Sequence, residues 1–288
     1  MTTTTEEEKK RKGVESSTTT TSTKKPKLIT PVSIEHVPTK AMTGLEPFYT
    51  QLCAQISADM YGPSAELDCT SFCLDQGYDL DKVGLTTTPE VVLFDKDWEA
   101  TNPPFVAVVA GTTMILAWRG SHSDMDWDRN VGFYASSSFR WKPIAKVVKV
   151  HGGYLSLVEN TMIKHEDELV TIIKARKITE LICTGHSLGG GVATVAQLWL
   201  EGSMNQSGDE SSSTNPWKKV SDTLTIRSLS FEGPATTVFM KSKKEEDDLT
   251  NQHGLQFLTT CARNMCTTVY ANDGVPRNAL GPVEYVLL

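Results

Sequence analysis

No stretch of this chain restricts its fold more than Glu180-Leu-Ile-Cys-Thr-Gly-His-Ser-Leu-Gly-Gly-Gly-Val-Ala193. Leu181, Ile182 and Cys183 form a short apolar run of the kind that makes a buried strand, and Leu188, Val192, Val195 and Trp199 recur at helical spacing directly after it. The strand must therefore turn abruptly into the helix, with Ser187 at the apex. The pentapeptide Gly185-His186-Ser187-Leu188-Gly189 fits Gly-x-Ser-x-Gly, in which a strained strand-to-helix turn holds the serine oxygen clear of the sheet edge, ready to attack an acyl carbon. Glycines two residues to either side suit so tight a turn, because a side chain there would collide across it. Gly189, Gly190 and Gly191 would let the helix lie close on the sheet. The start of a helix also aims unpaired N–H groups at the serine, and that of Leu188 is the natural first donor of an oxyanion hole.

The rest of the chain supplies a sheet for that turn to sit on. A first helix follows Gly44, with Pro47 near its start and Tyr49, Leu52, Cys53, Ile56 and Met60 on one face, and Gly62-Pro63 ends it. Val91–Phe94 reads as a short strand, and Phe105–Ala110 with Thr113–Trp118 as a hairpin turning at Gly111-Thr112. Both hairpin strands are nearly all apolar, as in a sheet covered on both faces. Ala145–His151 reads as a further strand, Tyr154–Lys177 as a long helix with Leu155, Val158, Met162, Leu169 and Ile173 inward, and Leu224–Phe231 and Thr267–Tyr270 as later strands. Alternation of strand and helix on this scale predicts an α/β fold, a mostly parallel sheet with helices on both faces. Residues 64–90, with Cys69 and Cys73, read as a surface loop, residues 203–222 as an exposed polar insertion, and Lys241–Asp248 as a solvated helix or loop.

Composition narrows the classes that remain. Residues 1–30 are Thr, Lys, Glu and Ser with almost nothing to bury, so a disordered polar tail is expected there, followed by one domain over 31–288. Lys9-Lys10-Arg11-Lys12 and Lys24-Lys25-Pro26-Lys27 read as a solvated tail, a two-part nuclear import signal, or a weak hold on anionic lipid. A net charge of −7 argues against nucleic acid as a partner, since phosphate binding needs a basic face. No run of about 18 apolar residues is present, and Met1 is followed by Thr and Glu rather than an apolar signal core, so a cytoplasmic protein is expected, peripheral on membranes or lipid droplets at most. The six cysteines then read as reduced thiols, and without Cys-x-x-Cys or a nearby histidine pair no metal site is expected.

Three stretches taken together resemble the class 3, or fungal-type, lipase family of α/β hydrolases. They are Trp118-Arg119-Gly120-Ser121 with Asp126-Trp127 after it, Gly185–Gly190, and Asn272-Asp273-x-Val275-Pro276-Arg277; Val150-His151-x-Gly153-Tyr154 is a softer fourth. The resemblance implies an α/β-hydrolase fold and a serine ester hydrolase acting on acylglycerols or other lipid esters through an acyl-enzyme, with no metal or organic cofactor. It implies Ser187 as the nucleophile, Asp273 as the acid that orients the base, and Ser121 with Leu188 as oxyanion-hole donors. Ser121 and Asp273 each follow a strand end, which suits both roles. Asp273 also reads as the centre of an Asn-Asp-Gly turn, and Glu232, after the strand ending at Phe231, is the second choice of acid.

The family's general base is missing from this pattern. The resemblance implies a histidine well past the aspartate, yet all six histidines (36, 122, 151, 165, 186 and 253) precede Asp273. His122, beside Ser121, is the one stand-in. The expectation is a chain that lacks C-terminal elements of its fold, as a truncated isoform of an active lipase would, and turns ester over barely above background unless extended through a downstream histidine. The alternative is a catalytically inactive lipase-like scaffold or signalling protein. His186 is expected to point back to the sheet as packing, His151 to be a structural hydrogen-bond partner, and His165 to lie on the outer face of the long helix. Arg119 is expected to pair with a buried acid and Asp126 with Trp127 to fix their loop. Gly132–Trp141, with four aromatics around three serines, reads either as a flap suited to a lipid interface or as ordinary packing over the sheet edge.

Overall fold

The computed structural model describes residues 45, 47–61, 79–81, 85–95, 104–121, 144–205, 215–220, 224–234, 236–239, 244 and 248–268, all within the unit Pro38–Leu288. The N-terminal tail, Cys69, Cys73, His36, His122, Asp126, Trp127, the Gly132–Trp141 segment and Asp273 lie outside the described residues.

In chain order the elements are α1 (Pro47–Asp59), β1 (Glu90–Asp95), β2 (Phe105–Ala110), β3 (Thr113–Trp118), β4 (Val148–Val150), α2 (Gly152–Arg176), β5 (Glu180–His186), α3 (Leu188–Met204), a 3-10 turn at Pro216–Lys219, β6 (Thr225–Phe231), β7 (Thr237–Phe239), α4 (Asp248–Ala262) and β8 (Met265–Thr268). The main sheet has six strands in the order β1-β2-β3-β5-β6-β8. The first two pairings are antiparallel and the other three parallel, so the parallel strands β3, β5, β6 and β8 all deliver their C-terminal ends to one edge.

Alternation along the central strands builds two cores. Val106, Val108, Ala110, Ile115, Ala117 and Ile182 meet Phe48, Leu52, Cys53, Ile56 and Met60 of α1 on one face. Phe105, Ala107, Met114, Leu116, Trp118, Leu181 and Cys183 meet α2, α3 and α4 on the other. A strand covered on both faces has no polar side, which is why β2 and β3 are apolar at nearly every position and buried throughout. The α2 helix starts on His151, whose Nδ1 accepts the N–H of Tyr154 at 3.4 Å, and ends on Lys177 in the left-handed conformation. Inside the second core the Gln197 side-chain amide donates to the Cys261 carbonyl at 3.1 Å, tying α3 to the end of α4.

Three expectations need correction. The strand read over Ala145–His151 is only Val148–Val150, and it pairs antiparallel with β7 in a separate two-stranded sheet. Residues 145–147 are a turn whose apolar side chains mimic a strand by filling the core. Residues 215–220 are not an exposed insertion: Asn215, Trp217 and Val220 are buried, and Trp217 meets Trp199 edge to face with ring centroids 6.3 Å apart. The segment after the charge run, to which the sequence reading assigned no element, is a helix through Ala262 that buries Phe257, Leu258 and Cys261. Its strand then opens at Met265, two residues before the expected start.

Burial also sets the thiol chemistry. Loss of hydration pushes the Cys53 thiol up to about 12 and raises Cys183 and Cys261 as well. All three are buried, whereas Cys266 is half-buried. Treating the folded protein at pH 8 with a thiol-specific disulfide reagent should therefore modify Cys266 and leave the other three intact until urea unfolds the chain. Peptide mapping reads the result, and rapid modification of Cys183 in the folded protein would contradict the packing.

Candidate active site

The β5–α3 turn takes the strained shape its sequence demands. Ser187 has φ 54° and ψ −122°, a region costly for any residue with a Cβ. Two backbone hydrogen bonds hold it there: Ser187 N–H donates to the Phe231 carbonyl at 2.9 Å, and Gly191 N–H donates to the Ser187 carbonyl at 3.1 Å to begin the helix. The serine side chain makes no capping hydrogen bond to α3, so its hydroxyl is not spent on the helix start. Leu188 is the first residue of α3, with its side chain buried and its N–H among those that no helical carbonyl accepts.

Parallel pairing brings the next piece alongside. Trp118 of β3 is registered with Gly185 of β5, so Arg119, Gly120 and Ser121 leave the sheet at the same edge as the Ser187 turn. Arg119 N–H donates to the Pro104 carbonyl at 3.1 Å, and Arg119 is buried while Ser121 is half-buried. The close approach depends on Gly189, because a Cβ there would meet the Trp118 carbonyl oxygen. The same edge thus carries Ser187, Leu188 and Ser121, and Asp273 lies outside the described residues.

The histidines stand differently from the expectation. His186 does not pack into the sheet. Its side chain is 40% exposed and takes part in two hydrogen bonds, with the Tyr61 hydroxyl at Nδ1, 2.9 Å away, and with Glu232 Oε2 at Nε2, 3.1 Å away. Strand alternation explains the direction, since Ile182 packs on the α1 face and His186 lies four residues further along the same face. Glu232 sits just past β6 and, like Ser187, has φ 54°. It is bound to His186, so the second-choice acid already has a partner. Tyr61, which sequence reading passed over, completes this group from the end of α1. His165 is not on the outer face of α2: it is half-buried, stacks on Phe105 with centroids 5.8 Å apart, and meets Asp95 Oδ2 at 2.8 Å. His151 is the structural partner expected of it, capping α2 and stacking on Tyr154 with centroids 4.1 Å apart. His253 is exposed on α4. Among the described residues no three His, Cys, Asp or Glu come together as metal ligands, and no helix is long and apolar enough to cross a membrane.

A mostly parallel sheet with helices on both faces and a strained serine turn at its C-terminal edge is the α/β-hydrolase fold. The sequence model of the class 3 lipases matches residues 115–280, more than half of the chain, and the chain belongs to that family. No curated protein matches it. Among solved structures, a Rhizomucor miehei lipase in complex with its propeptide is 16% identical and superposes with a TM-score of 0.51 over 82% of this chain and 63% of that one. Lipase II from Rhizopus niveus is 19% identical, with a TM-score of 0.52 over 81% and 76% of the two chains. A triacylglycerol lipase whose catalytic centre is described as a serine protease triad is also 19% identical, with a TM-score of 0.52 over 82% and 74%. At these identities the likeness is one of fold, and the chain spans less than two thirds of the first structure's length.

Proposed function

We propose that the chain is a serine ester hydrolase of the acylglycerol lipase type, with Ser187 as its nucleophile. The observation that carries this reading is the φ of 54° at a serine whose hydroxyl makes no capping bond, at the end of a parallel strand and the head of a helix. In the reaction Ser187 Oγ attacks the ester carbonyl and the tetrahedral oxyanion takes the N–H of Leu188 and that of Ser121, each such donor contributing roughly 3 to 4 kcal/mol. The alkoxide leaves with a proton, and water then hydrolyses the acyl-enzyme. Asp273 is the acid in this scheme, on the strength of the family motif around it.

The serine proton needs a base, and this favours a second reading. Among the described residues, His151, His165 and His186 are each hydrogen bonded to other partners and His253 is exposed on α4, while His36 and His122, the stand-in, lie outside the described residues. A lipase-like scaffold that binds lipid ester without rapid turnover is consistent with that set. Covalent labelling by a fluorophosphonate separates the donors' contribution from turnover. The Leu188 backbone, not its side chain, is the donor, so Leu188→Ala should label within about threefold of the parent rate while losing roughly 2 to 3 kcal/mol of stability from its emptied site. A labelling rate that falls a hundredfold in a still-folded Leu188→Ala protein would sink the assignment.

A further inference from the structure

Beside the serine turn, on the α1 side of the sheet, lies a cleft of about 520 Å³ lined by Ala54, Ser57 and Ala58 of α1, by Tyr61 just past it, and by His186, Phe231 and Glu232 at the strand ends. Its size falls in the range of about 300–1,000 Å³ usual for small-molecule sites, and such sites combine apolar walls with a few convergent polar groups. Here the walls are Ala54, Ala58 and Phe231, and the polar groups gather as Tyr61, His186 and Glu232.

Hydrogen bonds join the polar end into one group. His186 Nδ1 lies 2.9 Å from the Tyr61 hydroxyl and Nε2 lies 3.1 Å from Glu232 Oε2; an Nε2–H donating to the carboxylate makes Glu232 the acceptor of the group. None of the lining residues is Lys or Arg. Among the described residues only His186 hydrogen bonds to the Glu232 carboxylate, through Oε2, and Glu232 lines the cleft. Glu232 also holds a φ of 54°, a conformation glycine would adopt at less cost, so its side chain is kept there against a local penalty.

We propose that this cleft binds a neutral, single-chain glycerol ester, with a free glycerol hydroxyl donating to the Glu232 carboxylate and the acyl chain lying along Ala54, Ala58 and Phe231. Glu232 is the selectivity residue: its charge turns away amphiphiles with an anionic head, including the fatty acid that ester hydrolysis releases. The choice of a glycerol ester among hydroxylated lipids rests on the function proposed above, and the selection against anions rests on the cleft alone.

Calorimetric titration of the full chain carrying Ser187→Ala, at pH 8 and below micellar concentrations, tests this without turnover. Monolauroylglycerol should bind at least tenfold more tightly than laurate. Glu232→Gln should bring the two within about threefold. Ala58→Trp, a change on the exposed face of α1, should abolish binding of both while leaving the circular dichroism melt in place. Equal or tighter binding of laurate by the Glu232 protein, tighter binding of dodecyltrimethylammonium than of monolauroylglycerol, or binding untouched by Ala58→Trp would overturn the proposal. Because the Ser187→Ala chain forms no acyl-enzyme, failure here leaves the hydrolase reading standing, and loss of that reading by labelling leaves this result untouched.

Discussion

Exchanging Gly189 for alanine is expected to destabilise the protein by roughly 3 kcal/mol or more, among the larger effects a single methyl can have. The added Cβ would land on the Trp118 carbonyl oxygen, with the Trp118 and Arg119 carbonyl carbons close behind. Both partners are backbone, one in a buried strand and the other in the first turn of α3, so neither yields as a flexible side chain would. Relief requires α3 to withdraw from β3. For a domain of this size that loss corresponds to a fall of roughly 6 to 12 °C in melting temperature. It should also lower fluorophosphonate labelling, because the Leu188 and Ser121 donors straddle this contact. A urea midpoint within experimental error of the parent would mean that the turn is looser than described.

Exchanging Ser187 for glycine should act in the opposite direction on stability and abolish function. A residue with a Cβ at φ 54° and ψ −122° carries strain of about 1 to 3 kcal/mol. Glycine relieves it, and its greater freedom in the unfolded chain offsets the gain by roughly 0.5 to 1 kcal/mol. The net expectation is a protein about 1 kcal/mol more stable that no longer labels at all. A stability gain bought with the loss of the reactive group is what a turn strained for chemistry predicts. Ser187→Gly with unchanged or lower stability would indicate that the turn stores no strain.

The parts of this fold that could be read from sequence are those set by local pattern. The β2–β3 hairpin, β5, the Ser187 turn, α2 and α3 were legible because apolar runs of strand length and 3.6-residue periodicity occur there without competition. The 145–147 turn was not, since Ala145 and Val147 are apolar for a tertiary reason, packing against the second core, and apolar residues look alike in a turn and in a strand. Trp217 was hidden in the same way by its polar neighbours: one ring reaching Trp199 outweighs the composition of the segment. At the site, Ser187, Leu188 and Ser121 could be brought to one edge from motif order and parallel pairing. The Tyr61, His186 and Glu232 group could not, because its members come from three separate elements and only the parity of β5 hints that His186 faces α1.

That parity has a functional consequence. A histidine adjacent to the serine in sequence is turned to the other face and held there by Glu232, so closeness along the chain does not make it a base for Ser187. The strained serine turn and the β3 end that leads to Ser121 share one sheet edge, and the cleft beside His186 opens on the α1 side.

Whether Ser187 is the nucleophile is decided by the site and rate of covalent modification by a fluorophosphonate, read by peptide mass mapping of the folded chain and of the same chain in urea. In serine hydrolases that have lost a triad residue, oxyanion donors and binding alone still supply an acceleration of about 10³ to 10⁴ over an unassisted reaction. One adduct is expected, on the peptide containing Ser187, forming at least a hundredfold faster in the folded protein than in the unfolded one. An adduct at another residue, or equal rates in the two states, would contradict it.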